Sequence, residues 1–414
     1  MQDRSDMDDV GEFARIILVV CGGLSLAIGV RVIAGRLAIP TAGLLLVVAA
    51  VASDVVPRLA TVLSFEDVQR IATLALVVIL FEGGQKIGLR RFRRSAIPIL
   101  SLGVVGTFAT AALLATAGHV LFDLSWTVSG LIGAALAPTD PAVTFSVLAG
   151  KEVEGRSGTI LEGESGFNDP VGIALMIGMI ELATSADGSF GSLVVGEFLV
   201  EMGVGLAVGV AGALAITGVI RFARLPDRTL YPLAVIIAAG AVYGLAGVLH
   251  GSGFLAVFVA GILVGDLRYP ARRAVRVFNG ALTDLGELAA FVALGLTIDL
   301  AFIADEGLWW RGLVLAVLLG FVVRPVVIWP LLAAARLSRG ERTFIVWSGL
   351  KGAVPILLAS LAVVGGTDYA AEIYGIVFVV VLFSVVVQGT LVPTVAARLG
   401  VPMTREGRPG DDPS

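Results

Sequence analysis

Cysteine, histidine and charge are all scarce in this 414-residue chain. The single cysteine, Cys21, lies in the first apolar run, which excludes a disulfide framework and a thiolate metal cluster. The two histidines, His119 and His250, fall at the ends of separate apolar runs and form no metal pair. Charged residues are 15% of the total and hydrophobic ones 57%, with a mean hydropathy of +0.96. A soluble domain is thereby excluded, and a polytopic all-α membrane protein is expected. No cofactor, no nucleic-acid partner and no enzymatic activity are expected. The opening segment is acidic (Asp3, Asp6, Asp8, Asp9, Glu12). A cleaved signal peptide starts with basic residues, so none is expected.

Long apolar runs dominate what is present. They predict about thirteen membrane spans near 13–34, 38–54, 67–84, 95–118, 125–149, 157–183, 191–220, 229–248, 252–266, 277–298, 308–333, 342–365 and 372–396, since about 20 residues cross the hydrocarbon. The expected organisation is a short extracellular segment 1–12, a transmembrane unit 13–396 and a short cytoplasmic tail 397–414. Of the 29 basic residues, 22 fall in the tail or in loops after odd-numbered spans, and five on the other side. The positive-inside rule then puts the N-terminus outside and the C-terminus in the cytoplasm. Arg324 and Lys351 are left inside spans.

Two spans are interrupted at corresponding places. Span five carries Ala137-Pro138-Thr139-Asp140-Pro141, and two prolines three apart cannot sit in an unbroken helical ladder. Span twelve carries Gly349-Leu350-Lys351-Gly352-Ala353-Val354-Pro355. Interrupted helices in matching positions of two halves point to a transporter binding site at mid-membrane, and their opposite directions fit inverted repeats.

The stretch Gly163–Pro170 places Glu164, Ser165, Asn168 and Asp169 inside span six. Glu164 and Asn168 share one helix face, and Ser165 and Asp169 the adjacent one. Carboxylates are costly in hydrocarbon and mark functional positions. At about 1.5 Å per residue, Asp169 lies about 18 Å and Glu164 about 10 Å from the cytoplasmic end. Arg324 reaches the depth of Glu164 and is assigned to it as a structural ion pair, which leaves Asp169 free to titrate. Thr139 and Asp140 sit where freed carbonyls and half-helix ends can hold a cation. Lys351 can balance half-helix ends or pair with Asp140. Glu82 is read either as an ion-route residue or as a helix-end acid. Asp284 and Glu287 form an i, i+3 pair best explained as a dimer or bundle contact.

With Thr139-Asp140-Pro141, Gly163-Glu164-Ser165-Gly166-Phe167-Asn168-Asp169, Arg324 and Gly349-Leu350-Lys351-Gly352-Ala353 together, the chain resembles the monovalent cation/proton antiporter-1 family, bacterial exchangers of the NhaP type. Lys351 stands where that family usually has Arg, and the Asn168-Asp169-Pro170 ending is similar to its potassium-preferring branch. The large cytoplasmic regulatory domain of many potassium exchangers is not expected here. The resemblance implies a homodimer in the bacterial inner membrane, with a six-helix core moving against a dimerisation domain. By motif match it makes Asp169 the cation- and proton-binding carboxylate. Ser165 and the Thr139 region then add ligands for a monovalent cation, Asp140 and Asn168 support the site, and Glu164–Arg324 is the internal pair.

The chemistry fits that reading. Desolvation favours the neutral form of an aspartate and a bound cation favours its charged form, so proton and Na⁺ or K⁺ compete for one carboxylate. Asn168 adds no second titrating charge, so electroneutral one-for-one exchange is expected. Against this stand a carrier of small organic anions using Arg324 and Lys351, a passive cation channel, and an intramembrane aspartyl protease. The last lacks a Gly-x-Gly-Asp motif.

Overall fold

The computed structural model describes residues 21–34, 40–148, 151–153, 155–184, 196–222, 227–269 and 271–405, with the isolated positions 14, 17 and 18. The expected N-terminal segment 1–12 and residues 406–414 of the expected tail lie outside these. The described chain is almost wholly helical, as an apolar environment requires when every backbone polar group must find a partner within the protein. In order come α1 (Cys21–Ala34), α2 (Thr41–Val55), α3 (Phe65–Phe122), α4 (Trp126–Leu136) and α5 (Pro141–Ser146). The middle of the chain supplies α6 (Gly155–Thr184), α7 (Gly196–Phe222), α8 (Leu230–Val248), α9 (Gly253–Gly265) and α10 (Arg272–Leu296). Last are α11 (Leu308–Leu331), α12 (Arg339–Trp347), α13 (Ala353–Val364) and α14 (Ala370–Arg398). Every expected span overlaps one of these helices.

Three features depart from the expectation. Spans three and four are one element, α3, bent where Gly88 takes a φ of +65°. Asp266 closes the bend: its Oδ2 accepts from the Arg90 amide at 2.8 Å. The expected loop of basic residues is therefore helical, with Arg90, Arg91, Arg93 and Arg94 exposed along it. Second, a two-stranded antiparallel sheet interrupts the all-helical pattern. Strand β1 (Lys151–Val153) pairs with β2 (Met403–Arg405), Glu152 opposite Thr404, tying the segment before α6 to the chain after α14. Third, π-helical turns lie at Ser101–Gly106 in α3, Leu319–Val323 in α11 and Ser384–Gly389 in α14.

The breaks fall where expected. The chain is non-helical between α4 and α5 and between α12 and α13. Elsewhere helices approach closely through small residues, as membrane helices do. On α3 against α9, a Cβ at Gly84 would lie 2.5 Å from the Phe258 carbonyl oxygen. That contact seats α9 directly behind the wall of the cavity described next.

Candidate ion-binding site

The two breaks cross, and their backbone groups are satisfied by each other and by buried side chains. The Asp140 amide donates to the Leu350 carbonyl at 2.8 Å. Lys351 Nζ donates to the carbonyls of Ala137 at 2.9 Å and Pro138 at 2.7 Å, the groups released where α4 ends. The Lys351 amide donates to Ser384 Oγ at 2.9 Å, and Thr144 Oγ1 donates to the Ser348 carbonyl at 2.9 Å. An irregular backbone is tolerated inside a membrane protein when its polar groups find partners within the protein, and these bonds supply such partners at both breaks.

Charge follows the half-helix ends. Lys351, only 1% exposed, sits at the C-terminal end of α4, where the helix dipole is negative. Arg324 does the same for α12. Its Nε donates to Val346 O at 2.9 Å and its Nη2 to Ile345 O at 3.2 Å. The third donor, Nη1, meets Glu164 Oε1 at 3.1 Å, with both side chains buried. The expected Glu164–Arg324 pair is present, and the planar fork explains why Arg fits: three donors serve three acceptors in fixed directions. Asp140 packs against Gly352, the residue preceding α13, at the positive end of that half-helix. A Cβ on Gly352 would collide with the Asp140 carboxylate, and one on Gly349 with the Arg324 guanidinium. Of the two roles expected for Lys351, balancing a half-helix end is the one its Nζ contacts serve.

Asp169 stands beside this crossing on α6, 3% exposed. Its Oδ2 receives a long contact from Ser165 Oγ at 3.5 Å, and its Oδ1 has no hydrogen-bond partner. A buried carboxylate oxygen in that condition calls for an explanation, since nearly all buried polar atoms are paired. Asn168, one residue earlier, turns the other way and donates from Nδ2 to Thr139 Oγ1 at 2.8 Å, clipping α6 to the first break. Asp169, Ser165 and Asp140 line a cavity of about 140 Å³; Thr139 and Asn168 do not. Thr139 and Asn168, hydrogen-bonded to each other, lie outside that lining.

Glu82 is 5% exposed and lies on the cavity wall. It lies six residues before the Gly88 bend, within the last two turns of the first limb of α3. Its Oε2 meets Lys86 Nζ at 3.0 Å, and the exposed Lys86 marks the mouth. The pair Asp284 and Glu287 divides. Asp284 Oδ1 meets Arg31 of α1 at 3.1 Å, a bundle contact, whereas Glu287 lines the cavity. Glu162 lines it too and was not anticipated; its spacing of seven from Asp169, two turns on one helix face, was the available signal. Ser384 was missed as well, since nothing in an apolar run marks a hydroxyl as the partner of a distant amide. The π turns gather here: one ends at Arg324, another begins at Ser384, and a Cβ added to Gly103 of the third would lie 2.5 Å from Phe167 Cβ. Such turns are frequent at functional sites.

Among the described residues, no three His, Cys, Asp or Glu side chains converge closely enough to hold a metal ion. The arrangement offers instead the Asp169 carboxylate with the Ser165 hydroxyl beside it and the Asp140 carboxylate on the same cavity, oxygen groups suited to a hard monovalent cation or a proton.

Comparison with known proteins follows the same line. Residues 22–398 match the family described as sodium/hydrogen exchanger, transmembrane. The K(+)/H(+) antiporter NhaP2 of Shewanella sp. (strain ANA-3) is 30% identical over 97% of this chain and 71% of its own length. The Na(+)/H(+) antiporter NhaH of Halobacillus dabanensis is 30% identical over 80% of this chain and 83% of its own. Among solved structures, the sodium proton antiporter MjNhaP1 of Methanocaldococcus jannaschii at pH 8 superposes with a TM-score of 0.75 at 22% identity. It covers 94% of this chain and 99% of that one.

Proposed function

We propose that this chain, which belongs to the sodium/hydrogen exchanger family, exchanges a monovalent cation, Na⁺ or K⁺, for a proton across a cell membrane. The observation that carries the reading is Asp169: a buried carboxylate with an unpartnered oxygen, between a crossing of two broken helices and an acid-lined cavity. Proton and cation compete for it, Ser165 and the break around Thr139 and Asp140 contribute oxygens, and Asn168 holds the break in place. Glu164–Arg324 and Lys351 keep the half-helices together while the site moves between the two sides. Glu82 lies on the route.

The core, with the dimerisation domain against which it moves, comprises residues 13–396 in a homodimer embedded in lipid, with the N-terminus outside. Exchange is one for one and electroneutral. The organic-anion reading loses its ligands. Each Arg324 nitrogen already meets an acceptor in Glu164, Val346 or Ile345, the Lys351 ammonium faces two carbonyls, and the cavity carries acids that would repel an anion. Collapse of an imposed pH gradient in proteoliposomes by Na⁺, K⁺ or Li⁺ tests the proposal. Uptake of labelled organic anion, or cation current without proton movement, would replace it.

A further inference from the structure

The cavity holds more acid than one exchange site requires. Asp169, Asp140, Glu82, Glu162 and Glu287 line it, with Lys86 as its basic residue, and Lys86 is engaged by Glu82 at 3.0 Å. The α10 wall contributes a stripe at helical spacing: Thr283, Glu287, Ala290 and Phe291. Two of these are polar and one turn apart. Thr283 Oγ1 is buried and has no hydrogen-bond partner, and among the described residues Glu287 forms no ion pair. The neighbouring charges are committed elsewhere, Arg31 to Asp284 and Lys86 to Glu82. On α6, Asp169, a residue only 3% exposed whose Oδ1 has no hydrogen-bond partner, lines the same cavity.

We propose that Glu287 and Thr283 form a second subsite for a partly hydrated monovalent cation, on the α10 wall of the cavity that Asp169 also lines. One carboxylate and one hydroxyl supply too few ligands to strip a hard cation of its water, so the subsite holds it loosely and hands it on. It raises the local cation concentration beside Asp169 without competing for the proton that Asp169 carries. For its cargo the subsite rests on the antiport reading above.

Two measurements on the full chain test it. In proteoliposomes, Glu287→Gln raises the Na⁺ or K⁺ concentration for half-maximal exchange about tenfold, equivalent to about 1.4 kcal/mol. The rate at saturating cation stays within about twofold, and Thr283→Val gives a smaller shift in the same direction. Unchanged half-saturation in both variants overturns the subsite. In detergent, cation-dependent thermal stabilisation is compared with choline as the control. Asp169→Asn retains part of the stabilisation, and Asp169→Asn with Glu287→Gln loses it. If Asp169→Asn alone removes all of it, the subsite is absent. If the wild type exchanges nothing yet the stabilisation behaves as stated, the subsite stands and the antiport reading falls.

Discussion

The amide of Asp140 donates to the carbonyl of Leu350 at 2.8 Å, joining two broken helices main chain to main chain. Around that bond Lys351 faces the carbonyls of Ala137 and Pro138, and Asp140 packs against Gly352. Each charge lies at the half-helix end whose dipole it complements. The crossing is thus neutralised without Asp169, whose carboxylate is left to its cargo.

Asp169→Asn abolishes exchange while the protein remains folded. The substitution keeps the shape and removes the carboxylate on which proton and cation compete. Proton movement in proteoliposomes at more than a few per cent of the wild-type rate, from correctly inserted protein, would show that another carboxylate carries the cycle.

Breaking the Glu164–Arg324 pair destabilises the fold. Removing one partner of a buried pair costs about 3–5 kcal/mol. Arg324→Ala costs more than Glu164→Ala, because it also orphans the Val346 and Ile345 carbonyls. Arg324→Lys does not restore stability, since an ammonium lacks the three-way fork. Melting in detergent reads the order; equal losses would mean that the two carbonyl contacts contribute nothing.

The glycines of the second break tolerate no side chain. Gly352→Ala drives a methyl into Asp140, and Gly349→Ala drives one into the Arg324 guanidinium. Both variants lose transport and melt lower than wild type. Gly240→Ala, on α8 with nothing within 4 Å of its added Cβ, serves as the control and stays close to wild type. A Gly352→Ala protein with normal transport would refute the close packing of the two breaks.

Exchange is insensitive to membrane voltage. One net charge moved per cycle would bias the rates by roughly 2.3 kcal/mol per 100 mV. Asn168 carries no charge, and Lys351 is held by two carbonyls. Rates of Na⁺-driven proton movement are therefore equal in vesicles clamped at different potentials. A rate that follows the potential would mean that a second group titrates, and Lys351→Ala would then remove the dependence.

How much could be read before folding depends on the range of the cause. Span positions follow from unbroken apolar length, because hydrocarbon demands about 20 residues of it. The breaks at Pro138–Pro141 and Gly349–Pro355 follow from residues that cannot continue a helix. Glu164, Asp169, Arg324 and Lys351 stand out because ionisable side chains are costly at that depth, and the Glu164–Arg324 pair follows from matched depth. The tertiary structure decided which partners satisfy the rest. Lys351 could have met Asp140 or the half-helix carbonyls, and only the crossing geometry selects Ala137 and Pro138. Glu287 and Asp284 are three residues apart yet face a cavity and a bundle contact, a division that helical spacing alone does not assign. Ser384, the bend at Gly88 and the pairing of β1 with β2 are equally silent in sequence. Each depends on a group far along the chain, and local composition carries no record of what packing brings beside it.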